Sequence, residues 1–396
     1  MPATGCLRRF TGPQADEIAI LCRPDGEARD VAAQVESAYR ALAERLAANG
    51  ATFAHVAAET VFLRDVGEEL RAVLATRKQV LADLAAGDQA PPPALVGQPP
   101  VDGAALALAA VAVVPRDPDD WSTRDVELAP SCPCAGCARS AARVVSLGEQ
   151  RALHATPVYG VGDDVYAQAS TMFVAAERLL EACGMSFHDV VRTWIHLRDI
   201  DRDYDALNAA RRDFFASRGI GLRPASTGVG GLPATAAHAC GLSFHALRMP
   251  RSLPVTDMTT PLLNEAWSYG ADFSRGLRVV DANKVALYVS GTASIGAAGE
   301  TLHVGDFAAQ AERMLDNIAS LLERQGAGFH RIVSAVTYLR QASDAATLHE
   351  VYRRRGFGAF PCAVVEAPLC RPELLCETEA LALLPHAEAA AESNSS

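Results

Sequence analysis

One pattern recurs three times along this chain in a single register. Asn49-Gly50-Ala51-Thr52-Phe53 leads to Leu63-Arg64, Cys183-Gly184-Met185-Ser186-Phe187 leads to Leu197-Arg198, and Gln325-Gly326-Ala327-Gly328-Phe329 leads to Leu339-Arg340. In every copy Phe follows Gly by three positions, Leu by thirteen and Arg by fourteen. The glycines stand 134 and 142 residues apart, far beyond the periods of stacked repeats, so a whole domain is repeated. A chain of 396 residues has room for two or three domains, and the triplication selects three.

Each copy reads alike. An amphipathic helix comes first, with Val35, Tyr39, Leu42 and Leu46 in copy one and Met314, Ile318, Leu321 and Leu322 in copy three near helical spacing. Gly50, Gly184 and Gly326 then serve as helix stops. A β-rich run follows, such as Val61-Phe62-Leu63 or Val336-Thr337-Tyr338-Leu339. A second helix includes Leu207 to Phe215 or Leu348 to Arg355. A Pro-bearing loop and a last strand close the unit: Ala104 to Val114, Ala239 to Leu247, Leu374 to Leu384. Strands ahead of the first helix are clear in copy three (Lys284 to Ser290), weak in copy one and without a clear place in copy two. The expected fold class is α+β, three tandem units, each an antiparallel-rich sheet with helices on one face.

The expected divisions are 1–116 for a degenerate first unit, 117–150 for a linker or insert, 151–253 and 254–386 for units two and three, and 387–396 for a disordered tail. The insert holds Cys132, Cys134 and Cys137. Three thiols this close can bind a soft ion, but a closed structural site takes four ligands, for which His154 or a distant Cys would be needed. They are the one candidate metal cluster; no metal and no organic cofactor is expected.

With 49% hydrophobic and 21% charged residues the composition is that of an ordinary globular protein. The longest apolar stretch, Ala104 to Val114, is too short to span a bilayer, and Met1 to Arg9 reads as no signal peptide. Ten cysteines without a secretion signal read as reduced thiols, so a cytoplasmic protein off the membrane is expected. The net charge of −11 argues against nucleic acid. An anionic small molecule would need a local cluster of arginines.

The segment Leu369-Cys370-Arg371-Pro372-Glu373-Leu374-Leu375-Cys376-Glu377-Thr378-Glu379 sets a thiol and a carboxylate seven positions apart. On one strand that odd spacing would point them to opposite faces, but a turn at Arg371-Pro372 lifts the constraint. A carboxylic acid in a partly apolar cleft can hold its proton near neutral pH and donate it.

The Gly-x-x-Phe … Leu-Arg pattern, the Pro loop and the terminal strand resemble the RidA/YjgF domains, with their chorismate-mutase-like fold. Such domains form trimers with clefts between protomers, so the resemblance implies that the three units form a pseudo-trimer, as a monomer or a larger homo-oligomer. RidA enzymes hydrolyse imines through an Arg in a Pro-Ala-Arg-Ser loop. Here the loops read Pro93-Ala94-Leu95-Val96, Pro224-Ala225-Ser226-Thr227 and Pro361-Cys362-Ala363-Val364, and none carries that Arg.

A narrower resemblance, over roughly residues 150–386, is to the chorismatases, including the 3-hydroxybenzoate synthases. It rests on Arg192-Thr193-Trp194, Asn208, Arg212 and Pro224 to Gly230 in copy two. In copy three it rests on Tyr269-Gly270, Arg275, Tyr288 to Ser294, His303 to Asp306, Gln310, Asp316 to Ile318, Cys370-Arg371 and Leu374 to Glu379. Cys376 and Thr378 replace the aliphatic residues usual in that strand. The resemblance implies an enzyme of chorismate, a dianion with an enolpyruvyl ether. Glu377 would be the acid, Arg275 and Arg340 with Tyr338 and Tyr269 the substrate-binding residues, and Gly291 with Cys370 the pair that steers the product. Members with Gly and Cys there tend to give 3-hydroxybenzoate plus pyruvate, a reaction of secondary metabolism, and those with Ala tend to hydrolyse, so the expected product is 3-hydroxybenzoate or an isomeric hydroxybenzoate. Structural roles also suit these types: Arg340 has counterparts in Arg64 and Arg198, Tyr338 suits a core strand, and Gly291 suits a bulge. The competing functions are an imine or enamine hydrolase and a non-catalytic metabolite-binding scaffold.

Overall fold

A computed structural model describes residues 6–26, 28, 30–129, 139–249, 254–266 and 270–386. The first unit runs β1 (Cys6–Thr11), β2 (Ala15–Cys22), α1 (Val31–Ala48), β3 (Val56–Leu63), α2 (Leu70–Asp83), β4 (Ala94–Gly97) and β5 (Leu106–Pro115). The second runs β6 (Trp121–Leu128), β7 (Ser140–Leu147), β8 (Gln150–Val158), α3 (Val165–Ala182), β9 (Val190–Leu197), α4 (Ile200–Arg218), β10 (Ala225–Gly230) and β11 (Cys240–Arg248). The third runs β12 (Val255–Asp257), β13 (Gly276–Val280), β14 (Val285–Ala293), α5 (Phe307–Glu323), β15 (Ile332–Leu339), α6 (Ala345–Arg355), β16 (Cys362–Glu366) and β17 (Cys376–Leu384).

The three sheets share one five-strand order, β1-β2-β5-β3-β4, β7-β8-β11-β9-β10 and β13-β14-β17-β15-β16, and the second and third each add an outer strand, β6 and β12. The last strand of each unit inserts beside the opening hairpin. The second helix of each unit (α2, α4, α6) carries the chain over to a parallel edge strand, since parallel neighbours need a long crossover. Opening hairpins exist in all three units, including copies one and two where the sequence pattern was weak or unplaced. Residues 117–150, read as an insert, supply β6 and β7 to the second sheet. Cys132, Cys134, Cys137 and the tail 387–396 lie outside the described residues. His154 is half-buried, its ring 4.2 Å from that of His245. Among the described residues no helix is long and apolar enough to cross a membrane.

The same local chemistry starts and stops the equivalent helices. Asp30, Asp164 and Asp306 cap α1, α3 and α5, each side chain accepting from an N–H in the first turn. Gly50, Gly184 and Gly326 follow with φ of 73°, 69° and 69°, the left-handed region that side chains resist. The helices pack on the outer face of each sheet, making one core per unit. A further core, with Phe10, Val191, Leu247, Leu277, Tyr288 and Leu383, joins all three units.

Three equivalent contacts prove a pseudo-threefold axis. Gly97, Gly230 and Glu366 hold the same register position, opposite Leu63, Leu197 and Leu339. Gly97 N–H donates to Leu232 O (3.0 Å), Gly230 N–H to Pro368 O (2.7 Å) and Glu366 N–H to Pro99 O (2.7 Å). Each acceptor lies two residues past the equivalent position of the next unit, so the ring closes. The three sheets enclose an axial cavity of about 260 Å³.

Gly50→Ala tests the helix stop alone, because no atom lies within 4 Å of an added Cβ. The left-handed backbone should make it cost about 1–2 kcal/mol, read as a lower urea midpoint; an unchanged midpoint would count against the strain.

Candidate active site

A cleft of about 540 Å³ opens between units two and three. Its centre is Glu377 on β17. Opposite this strand, β14 bulges: Val289 faces Ala380 and Thr292 faces Thr378, which leaves Ser290 and Gly291 against the one residue between. The missing side chain at Gly291 gives the Glu377 carboxyl its room: an added Cβ would fall 2.0 Å from Oε1 and push that carboxyl aside. The bulge is tied across the unit boundary. Gly291 N–H donates to Thr227 Oγ1 (3.1 Å), and Ser290 Oγ accepts from Ser226 N–H (2.9 Å).

Four arginines line the cleft: Arg275, Arg371, Arg211 and Arg212. Arg275 is buried and donates to Asn264 O (2.8 Å), and its guanidinium lies over Phe273. Arg371 donates to Gly299 O (2.7 Å). Arg211 and Arg212 come from α4 of unit two, Arg211 bonded to Asn208 Oδ1 (2.6 Å) and Arg212 to Gly270 O (2.6 Å). Ser226 Oγ is buried at the cleft without a hydrogen-bond partner. Asp205 is the other acidic lining residue beside Glu377. The cleft is thus locally cationic in a chain of net charge −11.

Glu377 is buried and has no hydrogen-bond partner for its carboxyl among the described residues. Burial, reinforced by the Glu379 charge and opposed by Arg275 and Arg192, pushes its pKa up to about 8. It therefore carries a proton at neutral pH. Cys370 lines the same cleft just before the turn closed by Leu374 N–H on Arg371 O. Burial and the Glu377 charge push its thiol up to about 12, so it is a neutral S–H and no nucleophile.

Glu377, Cys370, Gly291 and Arg275 thus meet in one cleft, while two expected binding residues stand elsewhere. Arg340 does not line it. Its guanidinium donates to Leu374 O (2.8 Å), Leu369 O (3.0 Å) and Arg371 O (2.7 Å), bracing the loop that carries Cys370. Arg64 and Arg198 likewise donate to carbonyls before the last strand of their units, so the repeated Arg is a structural clamp. Tyr338 is fully buried, donates to Glu379 Oε2 (3.1 Å) and faces the axial cavity. Tyr269 lies outside the described residues. Arg211 and Arg371 were given no role from sequence. Arg211 sits one helical turn from Asn208, a spacing that marks a shared face.

Only the third copy carries an acid at this register position. Glu377 lies opposite Tyr338, Gly241 opposite His196, and Ala107 opposite Phe62. Over Gly241 the ring of Tyr159, stacked on His238 at 4.7 Å, takes the space a side chain would need.

The buried acid has a cost whose sign is fixed. The unfolded chain releases this proton near the ordinary Glu value, and the folded chain keeps it until about pH 8. Folding therefore loses stability as pH rises across that window and loses no more above it. Relative to wild type, Glu377→Gln should be near neutral at pH 5 and increasingly stabilised towards pH 8, with about 1.4 kcal/mol for each tenfold difference in proton affinity. Melting temperatures of both proteins across that range check it; a pH-independent difference would contradict the raised pKa.

A family profile described as endoribonuclease L-PSP matches residues 270–384. A chorismatase of Streptomyces rapamycinicus is 27% identical over 49% of this chain, and the chain spans 64% of that relative's length. A RutC family protein of Pyrococcus abyssi is 31% identical over 24% of this chain and 76% of its own length. A crystal structure of a chorismatase superposes with a TM-score of 0.59 at 18% identity, covering 83% of this chain and 93% of that one. The resemblance to chorismatases read from the motifs of units two and three is found again in both comparisons, and the chain belongs to the RutC family, built on the fold that a chorismatase also has.

Proposed function

We propose that the cleft between units two and three converts chorismate to 3-hydroxybenzoate and pyruvate. The observation that carries this reading is a protonated buried acid, Glu377, facing a cleft lined by four arginines. A neutral substrate would not need that charge, and a dianion does. The likeness to a chorismatase supports the choice of dianion.

Glu377 gives its proton to the methylene carbon of the enolpyruvyl group, which leaves an oxocarbenium-like centre. Arg275 and the arginines from α4 and the 370–374 loop hold the two carboxylates. The adjacent ring hydroxyl displaces the three-carbon unit as pyruvate. The original C–O bond of that now bridging oxygen then opens, and the ring carbon that holds the new hydroxyl gives its C–H proton to the Glu377 carboxylate as the ring aromatises, so atoms and protons balance without water. Cys370 and Gly291 shape the ring side of the cleft. The thiol is a polarisable wall with a weak donor, and the missing side chain at Gly291 sets where the Glu377 carboxyl points. The substrate is thus an anionic small molecule, and the chain's own residues supply acid, base and charge.

Incubating the purified protein with chorismate and separating the products tests this directly. Glu377→Gln should lower kcat by ~10²–10⁴-fold with little change in binding. Arg275→Ala should chiefly weaken binding, through a lost charge-assisted pair. Cys370→Ala should shift product from 3-hydroxybenzoate towards simple hydrolysis more than it lowers total rate. Wild-type protein that leaves chorismate untouched, or a Glu377→Gln variant at wild-type rate, would sink the reading.

A further inference from the structure

Two residues beyond Glu377 on the same strand face stands a second buried carboxylate, Glu379. It is saturated with donors, mostly from the neighbouring unit. Arg192 Nη2 reaches its Oε2 at 2.7 Å, Trp194 Nε1 its Oε1 at 2.6 Å, and Tyr338 OH its Oε2 at 3.1 Å. The same Arg192 nitrogen also donates to Thr227 Oγ1, the oxygen that receives Gly291 N–H. One guanidinium therefore links the Glu379 carboxylate to the bulge that gives Glu377 its space. At the matching register positions, units two and one have Ser243 and Ala109, opposite Trp194 and Thr60. The paired carboxylates exist only where the acid does.

We propose that Glu379 is a positioning residue for Glu377: a fixed negative charge, anchored across the unit boundary by Arg192 and Trp194, that keeps the neighbouring carboxyl protonated and so ready to act as an acid. This rests on the reading of Glu377 as the acid. Two like charges this close on one strand face cannot both be ionised cheaply, and three donors stabilise the charge on Glu379 alone. The remaining groups around Glu377 set the sign. From its own strand only Glu379 bears on it. Arg192 approaches from β9 and Arg275 from the segment before β13. Arg371 and the Cys370 thiol come from the loop, and the Tyr338 phenol from β15. Arg211, Arg212 and Asp205 line the cleft from α4. Arg275 and Arg192 favour loss of the proton and Glu379 is the charge set against them. Glu379→Gln leaves burial alone to oppose both arginines, so Glu377 should ionise at lower pH.

The experiment follows the Glu377 carboxyl directly, by the pH-difference infrared carbonyl band that disappears in Glu377→Gln. It is measured beside the pH dependence of kcat and kcat/KM with chorismate. In Glu379→Gln the midpoint should fall by about one pH unit or more, with the alkaline limb of kcat/KM moving by the same amount. Glu379→Asp, which keeps the charge, should stay near wild type. Glu379→Gln strands a buried Arg192 and can fail to fold, so the double change Glu379→Gln with Arg192→Met removes both charges together. There the midpoint should also fall, by less, because Glu379 outweighs Arg192 at this site. An unmoved or raised midpoint in the folded variants, or a loss of rate equal at every pH, would overturn the proposal. The infrared titration needs no substrate. A protein that ignores chorismate but shows the midpoint shift would refute the reaction and uphold the role of Glu379; chorismate turnover with an unmoved midpoint would do the reverse.

Discussion

The structure depends on the ring of backbone hydrogen bonds that joins Gly97 to Leu232, Gly230 to Pro368 and Glu366 to Pro99. Each one attaches the parallel edge strand of a unit to the next unit. An edge strand left open is a row of unpaired donors and acceptors, and here all three edges are used to close the assembly. The closure turns the inner sheet faces towards one another and buries the core shared by all units. It also fixes the clefts. Ser226 and Thr227 meet the β14 bulge of unit three on a strand, β10, held at its start by Ser274 N–H on Pro224 O and at its far end by Gly230 N–H on Pro368 O. With all three units in one chain, the positions around the axis can diverge independently, as they cannot among identical protomers.

That freedom is visible in the last strands. Leu106, Cys240 and Cys376 share a position, and so do Ala107, Gly241 and Glu377, then Ala109, Ser243 and Glu379. The first copy is aliphatic throughout and serves the core. The second gives up its side chain to the Tyr159 ring. The third places two carboxylates on its inner face. Their burden is shared unequally: Glu379 draws its ion pair from Arg192 of the second unit, so the acid-bearing copy needs its neighbour electrostatically as well as sterically. Degeneracy in the other copies is then a division of labour, with unit two supplying Arg192, Trp194, Arg211 and Arg212.

Much of this was legible in the sequence, for identifiable reasons. The repeated Gly-x-x-Phe … Leu-Arg register fixes the helix stops and the third strand, because left-handed glycines and strand-end leucines leave few alternatives. The turn at Arg371-Pro372 left Glu377 and Cys370 free to share a face, and Gly291 joined them only through the family resemblance. The opening hairpins were obscured by Ala-rich strands such as Ala15–Cys22 and Ser140–Leu147, whose pattern is buried on both faces and lacks alternation. Arg340 misled because motif residues repeat for fold as well as for function. Its three carbonyl acceptors come from a loop whose conformation no local spacing encodes. Tyr338 pairs with Glu377 in register, yet its hydroxyl reaches Glu379, two residue pairs further along the sheet. Arg211 and Arg371 were hidden for the opposite reason: the cleft joins segments 160 positions apart, and only the ring closure brings them together.

The energetic logic of the cleft follows from burial. A carboxyl stripped of water and given no hydrogen-bond donor keeps its proton, so its environment, and no partner's chemistry, makes it an acid. Four arginines beside it would ordinarily defeat this by favouring the carboxylate. Two features oppose them. Among the described contacts the arginines spend donors on backbone carbonyls and Asn side chains, at Asn264, Gly270, Gly299 and Asn208, which fixes where their charge lies. The Glu379 carboxylate, held from the far side, adds negative charge behind Glu377. A dianion entering the cleft acts in the same direction: its charges satisfy the arginines and raise the proton affinity of Glu377 further. On the proposed reading, binding and proton affinity are therefore coupled: a bound dianion and the Glu377 proton favour one another.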